Sequence, residues 1–531
     1  MPSRRLFARL AGAAAIIALA GGTAGATSTP IDHVVVIFQE NVSFDHYFGT
    51  YPNATNPAGE PSFTPAPGTP SVNGLTDALL SNNPNKLATA NGAGATDPFR
   101  LDRTEAATTD QNHAYLAEQL SFNLGLMDLF PSEVGTAGPP PGSSGPLGTK
   151  GLVMGYYDGN TVTALWNYAQ NFAMSDNSYC TVFGPSTPGA LNLIAGQTNG
   201  VAQVLNPSGN FEVGDGNGGL SVISDPDPVG DVCSAPTRNQ VQMAGKNVGD
   251  LLNSAGISWG AFMGGFDLTV TNSNGTTSCK RSSTSSVTGT TGDYIPHHAW
   301  FQYYASTANP THARPSSVTA IGHPGDGANH QYDINDFFAT VEAGNMPAVS
   351  FLKAISIQDG HAGYSDPLDE QTFIVNTINF LQKRKEWKNT AIIIAYDDSD
   401  GWYDHQMSPI VNQSATSADG LTGPGACGNG AAALPGNSPG TAHAQGRCGY
   451  GPRLPLLVIS PWARENYVDH TITDQSSVLR FIEDNWLNGT RIGAGSFDAL
   501  ANPITNMFDF HKRNMRKLIL DPDTGEHGRH I

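Results

Sequence analysis

Three short stretches of this chain are apolar at nearly every successive position: the runs 33–38 (HVVVIF), 391–395 (AIIIA) and 454–459 (LPLLVI). Neighbouring side chains on a strand point to opposite faces. A strand that is apolar on both must therefore be covered on both, which is the pattern of a sheet packed between helices. The runs 257–262 and 348–352 are weaker examples. Helical periodicity falls between them. One pattern extends from Asp369 through Phe373, Ile374, Ile378 and Leu381 to Trp387. Another starts at Asp474, a predicted N-cap, and passes through Val478, Phe481 and Ile482 to Trp486. Strands alternating with helices predict an α/β fold with a mainly parallel sheet and helices on both faces. No internal repeat is present. With 60 Gly and 36 Pro, the stretches 51–109, 131–150, 206–239 and 407–453 are expected to be long ordered loops forming walls and lids.

Charge narrows the partners. The net charge of -19 argues against general nucleic-acid binding, which needs Lys and Arg to neutralise phosphates, and weakens docking to anionic lipid. Arg4, Arg5 and Arg9, the apolar run 10–20 and Ala24-Gly25-Ala26 read as an export signal over residues 1–26. Ser3-Arg4-Arg5-Leu6-Phe7 resembles the twin-arginine type. The protein is expected to be periplasmic or secreted, with no integral membrane segment after cleavage and residues 27–531 as one catalytic domain. Export permits disulfides. Cys427 with Cys448 and Cys233 with Cys279 are the expected pairs, leaving Cys180 as a buried thiol. Oligomeric state is not legible here.

Ligands of open α/β sheets bind beyond the carboxyl ends of the strands. The first apolar run leads into Gln39-Glu40-Asn41 and the run 391–395 into Tyr396-Asp397-Asp398. Glu40, Asn41, Asp397 and Asp398 would give a hard, oxygen-rich site for one divalent cation (Ca, Zn, Mn or Mg). Taken alone, such acids also cap helices. Gly184-Pro185-Ser186-Thr187-Pro188 presents a serine rigidly between two prolines. By composition it is a turn, and a hydroxyl there needs a base or a metal to act as a nucleophile. His113, His297, His298 and His361 are imidazoles able to bind phosphoryl oxygens or protonate a leaving alkoxide.

Four blocks, in order, resemble the bacterial phospholipase C and acid phosphatase family: the runs 39–49 (QENVSFDHYFG), 184–188 (GPSTP), 396–405 (YDDSDGWYDH) and 453–462, the last followed by Val468-Asp469-His470. The resemblance implies an alkaline-phosphatase-like fold and a single divalent metal bound by Glu40, Asn41, Asp397 and Asp398, with Ser186 as nucleophile and further ligand. It also implies that His113, His297, His298 and His361 line the phosphate pocket, with His361 as the acid. Two departures bear on substrate: Gly189-Ala190 stands where phospholipase members commonly have Asn-Arg, and Ser399-Asp400 where His or Trp and then Gly are common. The chain also has no room for the C-terminal β domains of larger phospholipases. The expected activity is therefore acid phosphatase-like hydrolysis of phosphoric esters through a phosphoserine, with a phospholipase C acting on phosphatidylcholine-type lipids as the alternative substrate class. A sulfatase signature fails for want of Arg after Ser186-Thr187-Pro188. An exported non-catalytic binding protein would be expected to have lost Ser186 or a ligand.

Overall fold

The computed structural model describes residues 27–138, 145–428, 434–437 and 443–528; the expected export signal lies outside them. The apolar runs are strands of one nine-stranded sheet. In chain order these are His33–Gln39 (β1), Ala173–Tyr179 (β2), Trp259–Met263 (β3), Gln331–Asp333 (β4), Val349–Lys353 (β5), Thr390–Tyr396 (β6), Arg453–Ile459 (β7), Tyr467–Asp469 (β8) and Thr473–Asp474 (β9). Their spatial order is β4-β3-β5-β1-β6-β7-β2-β8, with β9 also paired to β2. β6 and β7 are buried over all seven residues, so both faces of the sheet centre are covered, as continuous apolar runs require.

β1 lies parallel to β5 and β6, and β3 parallel to β4 and β5. β7 departs from the parallel expectation and runs antiparallel to both its neighbours, β6 and β2. Its connection explains this. A parallel return needs a crossover, usually a helix. Among the described residues, none forms between β6 and β7.

The helices that matter for the site are Phe44–Phe48 (α1), Tyr115–Ser121 (α2), Ser186–Ala195 (α3), Pro367–Gln382 (α4) and Gln475–Trp486 (α5). The pattern predicted over 369–387 is α4 followed by a separate 3-10 turn, Lys385–Asn389. α5 begins where its cap predicts: the Asp474 carboxylate accepts from the Ser476 N–H, and the Asp474 N–H donates to Ser477 Oγ at 3.1 Å. Gly196 closes α3 in the left-handed region at φ 60°.

The Gly- and Pro-rich stretches are ordered largely by asparagines. Asn85 accepts from the Phe130 N–H at 2.9 Å and donates to the Met127 carbonyl at 2.8 Å. Asn91 donates to the carbonyls of Asn85 and Asp128 at 2.7 and 2.9 Å. A primary amide supplies donors and an acceptor together, so one side chain satisfies backbone that has no ladder. The disulfides are Cys233–Cys279 and Cys427–Cys448, and Cys180 is a buried thiol, as expected.

Arg453, fully buried at the start of β7, joins three of the sequence blocks. It pairs with Asp45 at 3.0 Å and Asp404 at 3.1 Å, donates to the carbonyls of Asn73 and Asp176, and lies over the Phe44 ring. His405 completes the cluster at 2.6 Å from Asp45. Arg453→Met leaves buried Asp404 without its cation and Asp45 with His405 alone, and the expected loss is about 3–5 kcal/mol in urea denaturation; a loss under 1 kcal/mol would contradict the assignment.

His46 is stacked on Trp402, with ring centroids 4.0 Å apart, and its Nδ1 lies 2.8 Å from the Gly155 carbonyl. Burial pushes its pKa down to about 3 against the opposing Gly155 bond. The folded imidazole therefore stays neutral while the unfolded one takes up a proton below its ordinary pKa of about 6.5. Stability from this group is complete above about pH 6.5 and is lost as pH falls toward 3, by at most about 1.4 kcal/mol per unit. His46→Phe, which keeps the stack, is expected to flatten that part of the pH dependence between pH 6 and 4.

Candidate active site

The register of β1 against β6 builds the centre of the site. Phe38 lies beside Ala395 and Gln39 beside Tyr396, so the next residues, Glu40 and Asp397, leave the same end of the sheet as neighbours. The turn after β1 is tightened by Asn41, in the left-handed region at φ 59°. Its N–H donates to Asp397 Oδ1 at 2.9 Å and its side-chain amide to Asp400 Oδ1 at 3.1 Å. Among the described residues, no helix forms between Asp397-Asp398 and β7. These acids are not helix caps.

Ser186 is the first residue of α3 and is buried. Its hydroxyl lies 2.9 Å from Glu40 Oε2 and 3.2 Å from Asp398 Oδ2. A ten-residue helix directs the positive end of its dipole at this oxygen. Three contacts set the helix against the sheet. The Gly184 N–H, in a turn at φ 116°, donates to Glu118 Oε2 of α2 at 2.8 Å. Glu118 Oε1 accepts from the Ser399 hydroxyl at 2.9 Å. Gln475 of α5 accepts from the Thr181 N–H at 3.1 Å and donates to the Asp397 carbonyl at 2.5 Å. The approach is so close that a Cβ on Gly189 would stand 2.1 Å from the Asp397 carbonyl oxygen.

The four histidines stand around this centre. His298 Nδ1 is 3.2 Å from Glu40 Oε1, and His297 lies edge-on to it with centroids 4.5 Å apart. His113 Nδ1 is 3.1 Å from Asp400 Oδ1 and 2.9 Å from the Gln111 carbonyl. His361 lies edge-on to His113 at 5.9 Å. All nine residues singled out in the sequence thus fall within one connected cluster.

The cluster also holds residues that sequence reasoning missed. Lys353, the last residue of β5, contacts Glu40 Oε1. Asp359 lies 3.8 Å from His298 Nδ1, and the Glu40 N–H donates to its carbonyl at 2.8 Å. Asp400 holds His113, and Glu118 holds the turn before Ser186. The available signals were position alone: Lys353 ends an apolar run, and Asp359 precedes Gly360-His361.

Electrostatics favour a cation. Burial and the adjacent Asp397 push Glu40 and Asp398 well above the carboxylate range, and burial does the same for Asp400. Among nearby groups, Lys353 and His113 are the positive ones; against burial, Asp398 and Asp400 hold His113 well above its ordinary value. Burial pushes His361 down to about 4, and burial and neighbouring cations lower His297 and His298. Asn41 Oδ1 and Asp397 Oδ2 are buried without a hydrogen-bond partner. Unpaired oxygens beside excess buried acid fit a hard divalent ion.

Other groups of acidic, His and Cys side chains lie within ligand reach of one another. Asp110, His113 and His361 form one at the rim of this site. Asp45, Asp404 and His405 form another, where Arg453 supplies the positive charge. Asp231, Cys233 and His312 form a third, but Cys233 is oxidised and Asp231 already accepts from Tyr294 and Gln302.

The sequence model of the Phosphoesterase family matches residues 31–487. The chain is 25% identical over 493 residues to phospholipase C A of Mycobacterium tuberculosis, covering 91% of this chain and 78% of that one. It is 24% identical over 508 residues to a non-hemolytic phospholipase C of Pseudomonas aeruginosa, covering 93% of this chain and 60% of the relative. A solved murine ectonucleotide pyrophosphatase/phosphodiesterase 5 is 12% identical, covering 66% of this chain and 95% of its own, with a TM-score of 0.30, too low to bear on the fold.

Gly189→Ala forces α3 away from the Asp397 carbonyl. The expected result is a loss of about 1–3 kcal/mol in stability and a fall in turnover of about tenfold or more, since Ser186 and the acids would leave register. Near-normal turnover would show that this approach does not set the geometry.

Proposed function

The chain belongs to the Phosphoesterase family and is a hydrolase of phosphoric esters, and from that premise we propose that it works through a covalent phosphoserine on Ser186, beside one divalent cation, as an exported acid phosphatase-like enzyme. The observation that carries this reading is the Ser186 hydroxyl, 2.9 Å from Glu40 and 3.2 Å from Asp398 at the start of a buried helix.

Glu40, Asn41, Asp397, Asp398 and Ser186 would hold the ion. A divalent ion there would stabilise the serine oxyanion and neutralise phosphoryl oxygens. The chain's own residues do the rest. Ser186 Oγ attacks phosphorus, its proton leaving toward the carboxylates that already accept it. The N-terminus of α3 and His113 bind phosphoryl oxygens. His361, or one of His297 and His298, passes a proton to the leaving oxygen. The low resting pKa of His361 suits this step only once a phosphoryl dianion raises it. Water then hydrolyses the phosphoserine.

A second reading, a phospholipase C acting on phosphatidylcholine-type phosphodiesters, is supported by the names of the two bacterial relatives. The N-terminal residues and two disulfides support export to the periplasm or beyond. Among the described residues, no helix is long and apolar enough to cross a membrane.

Ser186→Ala is expected to lower kcat by about 10³-fold or more on any phosphoric ester. Acid-quenched wild type should carry one phosphoryl group on the peptide containing Ser186. Metal-stripped protein should regain activity with a single divalent ion. Comparing a soluble aryl phosphate with phosphatidylcholine separates the two substrate readings. A fully active Ser186→Ala would end the proposal.

A further inference from the structure

Lys353 is buried, with 2% of its side chain exposed, and no step above uses it. Its ammonium lies against Glu40 Oε1 and 5.6 and 6.0 Å from the ring centroids of Phe38 and Trp300. The strand register fixes this placement: Leu352 of β5 lies beside Ile37, so Lys353 ends its strand level with the last residues before Glu40. A lysine this buried is costly unless its charge is matched. Glu40, and behind it Asp397 and Asp359, supply the match.

The two oxygens of Glu40 are divided. Oε1 faces Lys353 and, at 3.2 Å, His298 Nδ1. Oε2 accepts from the Ser186 hydroxyl. The space beyond Lys353, bounded by Met263, Gly264, His298 and Asp359, leaves about 10 Å³ for the centre of a water-sized sphere, room for about one water molecule. No ester enters there, so Lys353 does not meet substrate from that side.

We propose that Lys353 is a positioning residue that holds Glu40 Oε1, so that Glu40 presents Oε2 alone to Ser186 and to the ion beside it. Without Lys353, only His298 remains on Oε1, and Glu40 turns both oxygens toward the ion more readily. The site also loses a positive charge that repels the incoming cation. The two effects separate: turnover falls while ion affinity does not.

This inference rests on the proposed role of Ser186 and is tested on the full chain, metal-stripped and titrated with Mn²⁺ by calorimetry, with kcat measured on an aryl phosphate. Lys353→Met is expected to lower kcat at least tenfold, to leave Mn²⁺ affinity equal or higher, and to add nothing when combined with Glu40→Gln. Lys353→Arg, which keeps the charge, should restore most of the loss. The inference is overturned if Lys353→Met keeps kcat within twofold of wild type. It is also overturned if the fall in kcat is matched by an equal weakening of Mn²⁺ binding, or if the losses from Lys353→Met and Glu40→Gln multiply. Should Lys353→Met fail to fold, Lys353→Arg decides: kcat within threefold at unchanged Mn²⁺ affinity supports the assignment, and a fall to the Glu40→Gln level overturns it. A dead Ser186→Ala beside a normal Lys353→Met ends this inference alone, whereas a fully active Ser186→Ala ends the reading beneath it.

Discussion

The in-register pairing of β1 with β6 is the constraint from which the site follows. Two strands that end level bring Glu40 and Asp397 out of the sheet side by side, with Asn41 and Asp398 next to them. Burying carboxylates together without compensation costs several kcal/mol for each. The surrounding structure answers that charge. A lysine comes from β5, imidazoles come from the segments before α2, after β3 and after β5, and the positive end of α3 faces the Ser186 hydroxyl. The strand ends therefore place the acids and the lysine, and the loops bring the histidines to them.

The seat of Ser186 is governed by what is missing as much as by what is present. α3 meets the end of β6 at a glycine, and the contact is backbone to backbone. Gln475 spans the same junction with both ends of its amide. Gly189 thus permits a close, ordered approach of Ser186 to the strand-end acids.

Much of this was legible in the sequence, for physical reasons. Uninterrupted apolar runs found the three strands at the sheet centre, because only a strand covered on both faces tolerates them. Asp474 announced α5 because a capping carboxylate is a local device. The direction of β7 was not legible from its own residues; it goes with a preceding segment whose described residues form no helix. β4, β8 and β9 have two or three residues each, too few for any periodicity. Glu40, Asn41, Asp397 and Asp398 could be read as strand-end residues, whereas Ser186 and the histidines rose above turn residues only through the resemblance of whole blocks. Lys353 was invisible, because a single lysine acquires meaning only from the neighbour that the register gives it.

The clamp around Arg453 has a different kind of consequence. It ties Asp45, Asp404 and His405, which belong to the same sequence blocks as the site, into one buried charge network outside the catalytic cluster. Replacing any one of them strands the others. Two acids and a histidine within ligand reach of one another have the makings of a metal site. Here the cation they hold is part of the chain, and the grouping serves folding rather than turnover.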